Sequence, residues 1–114
     1  MIGTHLIINV KKIKDSEILK KTCNIEPLCL DLVDKLGLTV VNSCSYQFVP
    51  YGTTLIYLLT ESHLSVHTFV EEREIAIDLF TCTVGANLHQ AVEIIKEFFD
   101  VDDDNNVHCD ILLR

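Results

Sequence analysis

His63-Leu64-Ser65-Val66-His67-Thr68-Phe69 and, beyond the charged break Glu71-Glu72-Arg73, Glu74-Ile75-Ala76-Ile77-Asp78-Leu79-Phe80-Thr81 alternate polar and apolar residues with a period of two. Successive side chains of a strand point to opposite faces, so each stretch can bury one face and leave the other wet. Two such stretches around a short polar break predict an antiparallel pair. Upstream, Leu38 to Val49 reads as another strand, and the turn signal Pro50-Tyr51-Gly52 leads into residues 53–60, which predicts a hairpin. Residues 2–10, short and rich in β-branched side chains, predict a first strand, and residues 107–113 a last one. Between them Ile18, Leu19, Ile25, Leu28, Leu32, Val33 and Leu36 recur at helical spacing, with Asp15 or Ser16 as N-cap and Gly37 as C-cap. Pro27 falls inside this helix and either kinks it or opens its second half behind a new cap at Asn24. Asn87 predicts the cap of a closing helix with Ala91, Val92, Ile94, Ile95, Phe98 and Phe99 in its stripe. An antiparallel sheet with two helices that bury their stripes on one sheet face is an α+β two-layer sandwich.

At 114 residues the chain has room for one core and not for two, so residues 1–114 are read as a single domain. A net charge of −8 argues against tracking of nucleic-acid phosphates, keeps the chain soluble and is compatible with a cationic substrate. The 5 cysteines, Cys23, Cys29, Cys44, Cys82 and Cys109, are odd in number and contain no Cys-x-x-Cys, so reduced thiols are expected rather than a disulfide framework. No run approaches membrane-spanning length, and the start lacks a basic region and a cleavage site. A cytoplasmic protein without membrane or nucleic-acid partners is expected. His63 and His67 share a strand face but have no ligand set around them, so no metal is expected.

Glu61-Ser62-His63-Leu64-Ser65-Val66-His67-Thr68, with Asp78-Leu79-Phe80-Thr81-Cys82 behind it, resembles the processing site of the bacterial and archaeal S-adenosylmethionine decarboxylases. That family's pattern runs Glu-Ser-His-Leu-Ser/Thr-Ile-His-Thr and then Asp-Leu/Ile-Phe-Thr-Cys. Gly3-Thr4-His5-Leu6 and Phe48-Val49-Pro50-Tyr51-Gly52 extend the resemblance over most of the chain. The resemblance implies self-cleavage between Glu61 and Ser62. The serine hydroxyl attacks the preceding carbonyl to give an ester; elimination then expels the Glu61 carboxylate, and hydrolysis with loss of ammonia leaves residues 1–61 as one chain and 62–114 as the other, with a pyruvoyl group in place of Ser62. This covalent cofactor forms a Schiff base with the substrate amine and takes up the electrons released with carbon dioxide. The resemblance further implies proton transfer by His67 during processing and proton delivery by Cys82 during catalysis. It implies adenine stacking on Phe48, ribose binding by Glu71, substrate contact at Leu64, and a homodimer whose sites draw on both protomers. The function so implied is decarboxylation of S-adenosylmethionine, which supplies the aminopropyl donor for spermidine synthesis.

Three features depart from the family pattern. Thr54 stands where the family has a processing serine, keeping the hydroxyl but stiffening the side chain, with Thr53 as a neighbouring alternative. Phe69-Val70-Glu71-Glu72-Arg73 replaces Trp-Pro-Glu-Tyr-Gly, and Asn9 replaces an acid. These changes leave open a pyruvoyl-dependent ornithine or arginine decarboxylase, and an uncleaved homologue acting as a partner protein. In addition, Ser62 and His67 are five positions apart, which in a flat strand puts them on opposite faces. A bend, bulge or strained bond near Ser62 is therefore expected if both line one site.

Overall fold

Strands form almost residue for residue on the period-two stretches in the computed structural model, which describes residues 3–82 and 87–114. They are β1 (Thr4–Val10), β2 (Val40–Gln47), β3 (Thr53–Leu59), β4 (Ser62–Phe69), β5 (Glu74–Thr81) and β6 (Val107–Leu113), with helices α1 (Thr22–Lys35) and α2 (Leu88–Phe98). Ile2, the expected start of the first strand, lies outside the described residues. The strands form one six-stranded sheet in the order β2-β3-β4-β5-β1-β6, antiparallel throughout. The expected α+β two-layer sandwich is the fold observed.

Alternation decides the two faces. Leu6, Ile8 and Val10 of β1, Leu55 and Leu59 of β3, Leu64 and Val66 of β4, and Ile75, Ile77 and Leu79 of β5 are all buried. They pack in one cluster with Ile25, Leu28 and Leu32 of α1 and Ala91, Ile94 and Ile95 of α2. Each fully buried aliphatic side chain contributes about 1.5–3 kcal/mol, so this layer holds the fold. The register places the intervening residues on an open face in rows across the sheet. One row is Leu58, His63, Phe80 and His5, and another is Thr54, His67, Ala76 and Asn9.

The helix ends follow local rules with one exception. Gly37 sits at φ +70 just past α1, and the amides of Gly37 and Leu38 donate to Asp34 and Val33, the paired bonds of a Schellman cap. Asp100, at φ +53, does the same for α2 with a side chain where glycine is commoner. Asn87 caps α2 by accepting from the Gln90 amide. The start of α1 differs from expectation. Asp15 caps only a short 3₁₀ turn, Ser16–Leu19, and α1 begins at Thr22 with Pro27 inside it, so Asn24 opens no second helix. Lys21 offers no side-chain cap; instead Gln47 of β2 accepts from the Thr22 amide at 2.8 Å.

Two predictions follow from this packing. A Cβ on Gly3 would overlap the Phe80 ring and lie 3.3 Å from Cys82 Sγ. The ring is boxed in by His5 and His63, with centroids at 6.2 and 5.7 Å, and by the Arg114 guanidinium at 5.3 Å. Gly3→Ala is expected to cost about 1–3 kcal/mol in urea denaturation, partly recovered in Gly3→Ala/Phe80→Leu; an unchanged midpoint in the single variant would refute the clash. Burial pushes the Cys29 thiol up to about 12. Alkylation of the native protein at pH 8, mapped by mass spectrometry, should modify the exposed Cys23 and Cys44 and spare Cys29 until the chain is unfolded.

Candidate active site

Ser62 opens β4 directly after a two-residue turn, since Leu59 pairs with Ser62 across Thr60 and Glu61. Glu61 takes φ +61, a left-handed conformation that costs a non-glycine residue about 1–2 kcal/mol. The expected bulge is absent, for β4 keeps an unbroken register against both β3 and β5. The deformation falls one residue earlier, on the residue that supplies the carbonyl of the Glu61–Ser62 bond. The Ser62 side chain turns toward the helix layer, is only 6% exposed, and donates to Thr81 Oγ1 at 3.2 Å. Cys82 follows Thr81 immediately and lies against Gly3 on the open face. His63, next to Ser62, stacks at a tilt on Phe80, and Phe80 packs against His5. The His5 Nε2 is buried without a hydrogen-bond partner among the described residues.

At the other end of β4 stands a second group. Thr54 Oγ1 and His67 Nδ1 are 3.1 Å apart on directly paired residues. The neighbouring Thr53 points the opposite way: it is fully buried, with its hydroxyl 2.6 Å from that of Thr22 and donating to the Tyr46 carbonyl. Thr54 is therefore the hydroxyl that His67 can reach. Beyond it a pocket of about 390 Å³ is lined by Phe48, Tyr51, Gly52, Thr68, Phe69, Glu71 and their neighbours. Tyr51 donates its phenolic hydrogen to Glu71 Oε1 at 2.9 Å, and this bond to a carboxylate raises the Tyr51 pKa. Phe48 is 47% exposed, and its ring and that of Tyr46 meet edge to face at 4.8 Å.

The residues singled out in the sequence thus fall into two clusters. Glu61, Ser62 and Cys82 gather at the start of β4 and the end of β5. Thr54, His67, Phe48 and Glu71 gather at the other end. Five residues at about 3.3 Å each put the Cα of His67 roughly 16 Å from that of Ser62, and the two side chains lie on opposite faces. Leu64, expected to touch substrate, is fully buried in the core on the helix side, so its side chain serves packing and faces neither cluster. Tyr51 and Thr81 were not assigned from sequence, although both lie inside the quoted motifs; their roles depend on cross-strand neighbours. Among the described residues no three His, Cys, Asp or Glu side chains cluster as metal ligands, and no helix is long and apolar enough to cross a membrane.

Comparison with known proteins bears directly on these clusters. The family model for S-adenosylmethionine decarboxylase matches residues 4–109. An S-adenosylmethionine decarboxylase proenzyme of Archaeoglobus fulgidus is 34% identical over 99 residues, covering 87% of this chain and 88% of that protein. Its counterpart in Thermodesulfovibrio yellowstonii is 32% identical over 99 residues, covering 87% of this chain and 73% of that protein. Among solved structures, the adenosylmethionine decarboxylase of Aquifex aeolicus superposes with a TM-score of 0.80 at 25% identity, covering 99% of this chain and 88% of that one. The Trypanosoma brucei AdoMetDC monomer, at 13% identity and a TM-score of 0.59, covers 87% of this chain and 42% of that one and shares the fold alone. A match that spans both clusters and the strands between them settles the relationship: this chain belongs to the S-adenosylmethionine decarboxylase family.

Proposed function

We propose that this chain is a carboxy-lyase acting on S-adenosylmethionine, matured by self-cleavage between Glu61 and Ser62 into chains of residues 1–61 and 62–114. The observation that carries the reading is Ser62 itself: a nearly dry serine at the head of a strand, joined to a residue held at φ +61. Its hydroxyl attacks the Glu61 carbonyl, the peptide nitrogen is released as the ester forms, and the twist at Glu61 is relieved. The relatives, each named a proenzyme of S-adenosylmethionine decarboxylase, support processing and favour this substrate over ornithine or arginine.

The surroundings of Ser62 fit a pyruvoyl group. Cleavage falls in a turn, so no ladder is cut. Residues 1–61 supply β1, β2 and β3, residues 62–114 supply β4, β5 and β6, and the sheet order interleaves them. The ladders β3/β4, β5/β1 and β1/β6 then bind the two chains together after the bond is gone. A pyruvoyl carbonyl supplies the electron sink that decarboxylation of an α-amino acid requires. His63, Phe80 and His5 stack together on the open face beside the Ser62 end of β4, and the Cys82 thiol, against Gly3 on the same face, returns a proton to the substrate carbon. Phe48 offers its exposed ring to adenine, and Glu71, oriented by Tyr51, accepts from the ribose hydroxyls.

The separation of the two clusters supports a site shared between two copies. Cys82 of one protomer, with the open-face residues His63, Phe80 and His5 beside its Glu61–Ser62 bond, meets Thr54, His67, Phe48 and Glu71 of its partner across the open faces, where Ile56 and Leu58 are 43% and 52% exposed. His67, hydrogen-bonded to Thr54, then moves protons for the cleavage of the opposite chain.

Denaturing mass spectrometry should find fragments 1–61 and 62–114 in the wild type and an intact chain in Ser62→Ala. Persistence of one intact wild-type species after long incubation would sink the self-processing claim. Cys82→Ala should cleave normally and lose at least a hundredfold in carbon dioxide release from S-adenosylmethionine, measured beside ornithine and arginine. Release from an amino acid alone would overturn the substrate. Co-expressed with Ser62→Ala, a His67→Ala chain should recover cleavage that it lacks alone; a His67→Ala chain that stays intact in the mixture would exclude the shared site.

A further inference from the structure

The pocket that holds Phe48 and Glu71 is built on a loop, residues 48–52, with only one internal closure, the Phe48 amide donating to the Gly52 carbonyl at 2.8 Å. Gly52 itself sits at φ +108, a conformation without steric support of its own. Yet Phe48, Tyr51 and Gly52 all line the pocket, so its shape depends on what pins this loop.

We propose that Gln47 is the positioning residue of the substrate pocket, clamping the Phe48–Gly52 loop to the start of α1. The inference rests on the reading of that pocket as the nucleoside site. The Gln47 amide uses both ends. Its Nε2 donates to the Lys20 carbonyl at 2.8 Å, to Gly52 at 3.0 Å and to Phe48 at 3.2 Å. Its Oε1 accepts from the Thr22 amide at 2.8 Å and the Thr22 hydroxyl at 3.2 Å. Two N–H groups are thus shared among three carbonyls, two on the loop and one at the break before α1. The Gly52 amide adds a backbone bond to the same Lys20 carbonyl at 2.8 Å. One side chain therefore takes over the cap that Lys21 cannot give α1 and fixes both ends of the loop that carries Phe48 and Tyr51.

The donor and acceptor halves make separable demands. Gln47→Glu keeps an acceptor for Thr22 but sets a carboxylate against three carbonyls and removes both donors. Thr22→Val removes a hydroxyl from the acceptor half and leaves the loop contacts in place. Gln47→Glu is expected to raise KM for S-adenosylmethionine at least tenfold, with kcat within threefold of wild type and self-cleavage complete, whereas Thr22→Val stays within twofold in KM. Amide hydrogen exchange at Phe48 and Gly52 should quicken at least tenfold in Gln47→Glu and not in Thr22→Val. Gln47→Met, of similar length and uncharged, repeats both measurements if the glutamate chain does not fold. Wild-type KM and exchange in the folded variant would overturn the proposal, as would an equal KM increase in Thr22→Val. Failure of the wild type to release carbon dioxide from S-adenosylmethionine would instead strike the functional reading, while the exchange measurement would still decide the clamp.

Discussion

Burial of one sheet face under two helices governs everything else in this molecule. Both helices carry a single apolar stripe, so only one face of the sheet can be covered, and hydrocarbon at every second position of β1, β3, β4 and β5 meets that demand. The other positions are released from packing. On them stand the candidate site residues His67, Thr54 and Cys82, with His5, His63 and Phe80 beside them. Ser62 is the exception, for it lies in the covered phase, hydrogen-bonded to Thr81 and nearly dry. In the proposed processing, this hydroxyl, kept from water and joined to a left-handed Glu61, attacks its own backbone.

The sheet order gives that attack a harmless outcome. Because β1 lies between β5 and β6, the first half of the chain is threaded through the second. In the proposed cleavage, scission of that one turn leaves the ladders and the core as they were and frees Glu61 from its left-handed conformation. A sheet with its first three strands on one side and its last three on the other would be joined across the cut by a single ladder. Here three ladders cross it.

Distance imposes the next level of organisation. The pocket end and the Ser62 end are separated by nearly the length of β4, which no side chain spans. In the proposed site shared between two copies, the exposed apolar residues of β3 on the open face are the surface the copies bury. The pocket end is also the part of the molecule least supported by the core. Its loop hangs beyond β2, an edge strand exposed along its whole length, and it is tied down by polar bonds to Gln47 and Lys20.

What the sequence by itself determined was whatever depends on local period and local backbone. Strand positions followed from alternation, the ends of α1 and α2 from Gly37 and Asn87, and the family from an ordered motif. Even the opposition of Ser62 and His67 is contained in their spacing of five. Long-range pairing was not legible. The start of α1 was misplaced because its cap is Gln47, 25 residues away, and no signal near Thr22 announces it. Leu64 lies inside the motif yet belongs to the core, because the strand phase set by its neighbours across the sheet turns it to the helices. The expected bulge in β4 gave way to a left-handed Glu61, since pairing with β3 and β5 on both sides holds β4 straight and leaves the turn as the one place where the backbone can deform. Tertiary structure alone decided that the candidate site residues form two clusters at opposite ends of one strand, because hydrogen-bonded register, and not proximity in sequence, sets which side chains meet.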